Sequence, residues 1–172
     1  SCAAAYEKME NFSDEVQILQ KAIADFPEEY SFQLQLAQTF MTWGDEENYS
    51  SQEYYEEALD LYKKLEVVFP EEYEVRDCIV VLQLKLGNME VAENQLLELT
   101  ETFRDKYRVY MLLAYIEDEK QTQLKKKNRD YHQMQKYYEK ARKLYTSSLE
   151  DYHMEDLEER MAELKEEGWF RS

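Results

Sequence analysis

Two histidines and two cysteines are the residues of this chain best suited to chemistry, and neither pair stands in a working arrangement. His132 and His153 lie 21 positions apart with no further ligand at metal-binding spacing. Cys2 and Cys78, 76 positions apart, belong to no metal or redox motif. Two scattered cysteines suit a reducing compartment, where a thiol serves as a small core residue. Cys2, so near the start, also admits a bacterial lipid-anchor site. Gly44, Gly87 and Gly168 are isolated and cannot form a phosphate-cradling loop; each serves better as a helix terminus. With 38 Asp and Glu in 172 residues, carboxylate pairs arise by chance, so no pair marks an acid–base site. No catalytic residue, metal site or cofactor is assigned, and the chain does not read as an enzyme.

The formal charge of −17 disfavours nucleic acid as the main partner, because most of the surface would repel phosphate. Residues 120–143 depart from this, with nine Lys or Arg against Asp130 and Glu139, a window of +7. Three readings of the window stand: a solvated helix surface, a patch that docks on an acidic surface of the same or another molecule, and an RNA platform with Tyr131, Tyr137 and Tyr138 between the lysines. No apolar run approaches the length of a membrane span, so membrane insertion is not expected. The two scattered cysteines lead to the expectation of a cytoplasmic location.

The elements that would have to position any site are helices. Three Gly and two Pro in the whole chain argue against a fold rich in tight turns and hairpin strands. After Pro70, the residues Val75, Ile79, Leu82 and Leu86 are spaced by three and four, one face of a helix. Gly87-Asn88 stops it, and Ala92, Leu96, Leu99 and Phe103 form the face of a second helix. Together they read as an antiparallel helical hairpin. The chain also repeats itself. Phe26-Pro27-Glu28-Glu29-Tyr30 returns as Phe69-Pro70-Glu71-Glu72-Tyr73 and, more loosely, as Phe103-Arg104-Asp105-Lys106-Tyr107. Tyr54-Tyr55-Glu56-Glu57-Ala58 returns as Tyr137-Tyr138-Glu139-Lys140-Ala141. The step from Pro70 to Arg104 is 34 residues.

These residues resemble the tetratricopeptide repeat, a 34-residue helical hairpin with small and large residues at set positions. Residues 73–104 supply Gly87 at the turn, Ala92 as the small residue and Leu96 at the large position, but carry Arg76, Gln83 and Arg104 where two aromatics and a proline are usual. Residues 30–70 match with Leu36-Ala37, Phe40, Ala58, Tyr62 and Pro70, Gly44 ending the first helix and Asp45–Ser51 reading as a lengthened loop. In the next hairpin Leu113-Ala114, Ala141 and Tyr145 match, with Tyr62 and Tyr145 expected to wedge between hairpins. Its extra length, Lys120–Gln133, reads as a loop or as helical extensions, the latter preferred with a short turn near Asn128-Arg129-Asp130. Ala3 and Tyr6 fall at the matching positions of an earlier repeat, whose second helix would start at Ser13 or Asp14.

The resemblance implies an all-α fold, a right-handed α-α superhelix of antiparallel hairpins. The expected division is one domain, 1–172: a partial repeat 1–29, repeats 30–72, 73–106 and 107–150, and a capping helix 153–168 with Leu157, Met161 and Leu164 on its stripe. The first residues read as part of a helix begun upstream, so a fragment of a longer bacterial protein is expected. The acidic end before Gly168-Trp169-Phe170 is similar to tails that join such repeats to signalling or chaperone domains.

In this family the first helix of each hairpin lines a concave groove that takes a peptide or a partner helix. Carried onto this chain, the groove draws on Gln35, Gln38, Met41 and Thr42, then Asp77, Cys78, Val81 and Lys85, then Met111, Leu112, Tyr115 and Asp118. The Lys/Arg/Asn clamp by which chaperone-binding members hold a carboxylate is missing from these positions. The resemblance therefore implies a protein or peptide partner with apolar anchors and some basic character. Homodimerisation and RNA binding through 120–143 stand as alternatives.

Overall fold

Three turns of one form punctuate the chain. At Phe26, Phe69 and Phe103 the backbone N–H closes the preceding helix onto Ala22, Leu65 and Leu99, each at 2.8 Å. The carbonyl of each Phe then accepts from the N–H three residues on, at Glu29, Glu72 and Lys106. The first two stop because the residue before a proline is driven out of the helical region. The third lacks proline. There the Arg104 guanidinium donates to the Glu101 carbonyl at 3.1 Å and to its carboxylate at 3.1 Å, occupying the helix end instead.

A computed structural model describes the backbone of residues 2–47, 49–146 and 151–170, with side chains from residue 10 onward. Every regular element among them is helical: α1 Cys2–Asp25, α2 Tyr30–Glu46, α3 Ser51–Val68, α4 Tyr73–Lys85, α5 Met89–Thr102, α6 Tyr107–Thr122, α7 His132–Leu144 and α8 Tyr152–Glu166, with a 3-10 turn at Lys126–Asn128. The chain forms two compact units, 1–88 and 89–172, which divide at the Gly87-Asn88 turn.

In the first unit, α1 to α4 bury Val16 and Leu19, Leu36 and Phe40, Leu59 and Leu65, and Ile79 and Leu82 in one core. An aromatic stack crosses three of the helices: Trp43 lies 4.1 Å from Tyr54 and 5.7 Å from Phe12 between ring centroids. Tyr62 is 1% exposed, the expected wedge. In the second unit the buried residues include Ala92, Leu96 and Leu99 of α5, Leu113 and Ile116 of α6, Met134 of α7, and Met154, Leu157, Met161 and Leu164 of α8. The stripe expected of a capping helix is thus buried.

Several local expectations are corrected. α1 runs unbroken through Ser13 and Asp14. The 2–25 stretch holds no Gly or Pro, and continuing a helix through two weak formers costs less than nucleating a new one. The side chains of Ala3 and Tyr6 lie outside the described residues. Extra length in the second hairpin goes into long helices, 17 and 18 residues in α2 and α3, so that little loop remains between Glu46 and Ser51. The extra length after α6 is instead a loop, not projecting helices. Arg129 donates to the carbonyls of Thr122 and Leu124, both at 2.9 Å, and Tyr131, 1% exposed, pins the far side of the loop in the core.

The glycines divide by mechanism. Gly87 and Gly168 end α4 and α8 with φ of 79° and 86°, where only glycine is unstrained. Each helix closes with the N–H of the following residue, Asn88 or Trp169, reaching back to Gln83 or Leu164. Gly44 does not end α2. It is buried inside the helix, and a Cβ there would sit 2.6 Å from Cε1 of Tyr55. The Tyr55 hydroxyl is held by Asp45 at 2.7 Å, so the ring cannot retreat cheaply. Replacing Gly44 with Ala gains about 1 kcal/mol of helix propensity but overpacks a pinned ring, which typically costs about 1–3 kcal/mol. Gly44→Ala is expected to lower stability in urea titrations, and Gly44→Ala combined with Tyr55→Ala to recover at least about 1 kcal/mol as a coupling energy. Additive losses would reject the close approach as the reason for the glycine.

Candidate interaction surface

The first helix of each hairpin carries the twelve candidate residues, and the two units treat them differently. In the first unit, α2 leaves Gln35 and Gln38 exposed, while Met41 is half-buried and packs on the core. On α4, Asp77 and Val81 are half-buried, and the Asp77 carboxylate accepts from the Tyr73 hydroxyl at 3.0 Å. Lys85 is committed elsewhere: its ammonium donates to Asp45 at 2.6 Å and lies 5.2 Å from the centre of the Tyr55 ring. It therefore braces α4 against the end of α2.

Between α2 and α4 lies a cavity of about 430 Å³. Leu34 and Gln38 wall it from α2, Val75 and Cys78 from α4, and Tyr62 and Leu65 of α3 form the floor. Tyr30 and Phe69 close one end, their rings edge to face at 5.3 Å. Of the groove residues expected from the sequence, Gln38 and Cys78 line it. The rest of the lining was missed, although a signal existed: Tyr30 ends the first copy of the Phe-Pro-Glu-Glu-Tyr motif and Phe69 begins the second, and folding brings them together.

In the second unit the candidate face is covered. Met111 is 1% exposed and cannot reach a partner. The Tyr115 hydroxyl donates to the His153 carbonyl at the start of α8. Asp118 accepts from Arg160 of α8 at 3.0 and 3.1 Å. Tyr115 and Asp118 thus hold α8, and Met111 is closed off within the unit, so these residues do not form an open groove. Around the start of α8, Asp151 caps the helix by accepting from the His153 N–H at 3.0 Å, takes the Tyr107 hydroxyl at 2.6 Å and pairs with Arg108 at 3.5 Å.

The electrostatics follow from this docking. Burial, with the carboxylates of Asp156, Asp151 and Asp118 nearby, pushes the Tyr115 hydroxyl up to about 12. Burial and the hydrogen bond to Asp151 raise Tyr107 to about 12 as well. Burial alone would raise Asp151, but the Tyr107 hydroxyl, the His153 N–H and Arg108 together hold its carboxyl below the usual range.

Part of the basic window is engaged within its own unit. Lys120 pairs with Glu93 at 2.7 Å, Arg142 with Glu158 at 2.6 Å, and Lys140 lies 5.5 Å from the centre of the Tyr110 ring. Tyr131, a member of the RNA reading, offers no face, being buried edge to face against Trp169 at 5.1 Å. Lys125, Lys126 and Lys127 are exposed. Among the described residues no group of three His, Cys, Asp or Glu could hold a metal ion, and no helix is long and apolar enough to cross a membrane.

The lowered Asp151 carboxyl makes a pH prediction. An ordinary Asp titrates near 3.9, and the folded group titrates lower, so its contribution is present above about pH 4 and lost as pH falls through the folded value. Asp151→Asn keeps the capping oxygen but removes the charge. Thermal melts from pH 7 down to pH 2 should show the variant losing less stability below about pH 4 than the parent. Parallel profiles would mean that Asp151 does not anchor α8 by charge.

No protein-family model matches this sequence, and no curated protein does. Solved structures of MamA, a helical repeat protein of tetratricopeptide type, are similar in fold. MamA MSR-1 C2 has a TM-score of 0.59 and 19% identity, covering 81% of this chain and 70% of that one. A crystal structure of MamA gives 0.60 at 15% identity over 80% and 71%, and MamA AMB-1 P212121 gives 0.59 at 17% over 84% and 71%. At such identity the likeness establishes the fold: all-α, built from tetratricopeptide-like helical repeats.

Proposed function

We infer that this protein is a protein-interaction module whose α2–α4 face in the first unit receives a partner segment. A tetratricopeptide-like fold supports a protein-binding or scaffold role in general, and one observation supports this particular face. It combines exposed amides, Gln35 and Gln38, with an apolar-walled cavity of about 430 Å³, whereas the matching face of the second unit is taken up by α8. Partner surfaces commonly combine an apolar anchor site with a polar rim in this way. The partner expected here has apolar anchors and basic character, since the chain carries −17. No catalytic role is proposed.

Self-association is the alternative to separate first. Light scattering coupled to size-exclusion chromatography at low and high salt should give a monomer at both. A dimer that dissociates at high salt would shift the reading to the basic window meeting an acidic surface. Peptides selected from a displayed random library on the immobilised chain should then lose about tenfold in affinity with Gln38→Ala or Asp77→Ala, which is about 1.4 kcal/mol. Tyr115→Ala should alter stability and leave that affinity in place. If neither α2 nor α4 substitution weakens any selected peptide, this face is not the interaction surface.

A further inference from the structure

We propose that the α2–α4 cavity is an anchor pocket for one large apolar side chain, aromatic by preference, flanked by Lys or Arg in an extended partner segment. This rests on the interaction reading above and adds to it the identity of the anchor and of its neighbours.

Shape and lining argue for the anchor. The cavity holds about 430 Å³ between walls of Leu34 and Val75, above a floor of Tyr62 and Leu65. Tyr62 and Leu65 are 1% and 2% exposed, so the floor belongs to the core and is rigid. Leu34 and Phe69 at the mouth are each 37% exposed, leaving apolar area in water that an entering ring would cover. The Tyr30 and Phe69 rings at one end already meet edge to face, an arrangement a third ring can extend.

Charge argues for the flanks. Glu72 and Glu74 line the mouth, and no Lys, Arg or His does. Neither carboxylate is spent within the described residues: Glu72 sits at the N-cap of α4 without a side-chain capping bond, and neither has a cation partner. Glu71 precedes Glu72 in sequence, and Glu28 and Glu29 precede Tyr30 of the lining. An apolar side chain set among acidic residues would be repelled here, whereas one set among lysines or arginines gains on approach and on binding.

The experiment uses the whole chain, labelled with nitrogen-15, and three capped pentapeptides: Lys-Lys-Phe-Lys-Lys, Lys-Lys-Ala-Lys-Lys and Glu-Glu-Phe-Glu-Glu. The first should bind with a Kd on the order of 0.1–1 mM and shift the amides of Leu34, Gln38, Val75 and Cys78. The alanine peptide should bind at least tenfold more weakly, and the acidic peptide should leave these amides unmoved. Glu72→Lys with Glu74→Lys, at exposed positions, should weaken the first peptide at least fivefold, as should Leu34→Ala, with unchanged melting curves as the control. Equal binding of the phenylalanine and alanine peptides would reduce the site to unspecific charge attraction and overturn the proposal. Shifts confined to other residues, or no binding at all, would overturn it too. If the pentapeptide fails while library peptides still respond to Gln38→Ala, only the anchor pocket falls; if both fail, the interaction reading falls with it.

Discussion

The close approach of neighbouring helices is the constraint on which the rest of this protein depends, and alanine meets it. Ala37 in α2, Ala58 in α3, Ala92 in α5, Ala114 in α6 and Ala141 in α7 are all 0% exposed. Helix axes can come together only as far as the side chains at the crossing allow, so a small residue there sets the spacing and lets the larger residues interdigitate on either side. Gly44 applies the same rule more severely, since not even a methyl group fits beneath the Tyr55 ring. Tyr62, four residues after Ala58, then fills the space that the close crossing leaves and becomes the floor of the α2–α4 cavity.

The two units treat the faces of their first hairpin helices differently. In the second, α8 is held to α6 by Arg160 on Asp118 and by the Tyr115 hydroxyl on the His153 carbonyl, with its own apolar stripe buried. Asp118 and Arg160 are only partly exposed, and each would be costly to leave unpaired in that setting. Their pairing, with the Tyr115 bond to the α8 backbone, makes the α6 face part of the interior. In the first unit the α2–α4 face keeps a cavity, polar amides and uncompensated carboxylates. The contrast between a satisfied face and an unsatisfied one is the physical basis for proposing an interaction surface on α2 and α4.

Much of the fold was legible because its determinants are local. Phe-Pro and Gly87-Asn88 mark helix ends by backbone preference, and the stripes of Val75, Ile79 and Leu82 or Leu157, Met161 and Leu164 mark buried faces by spacing alone. Less of the site was legible. Gly44 has the residue type of a terminator but lies within a helix, because the ring of Tyr55 on the next helix needs the space. The 123–131 segment has helix-forming composition, yet Arg129 and Tyr131 turn it into a loop through contacts with α6 and the core.

The sequence by itself determined the helix ends at the two Phe-Pro pairs and at Gly87-Asn88 and the buried stripes of α4, α5 and α8, because backbone preference and periodicity act over a few residues, and its motifs carried the resemblance to tetratricopeptide repeats. Only the tertiary structure decided which helix faces remain open. Tyr115 meets the His153 backbone 38 residues away, Asp118 meets Arg160 at 42, and Tyr107 meets Asp151 at 44. Exposure is a property of whatever packs on a face, and no local pattern in α6 reveals that α8 returns to cover it.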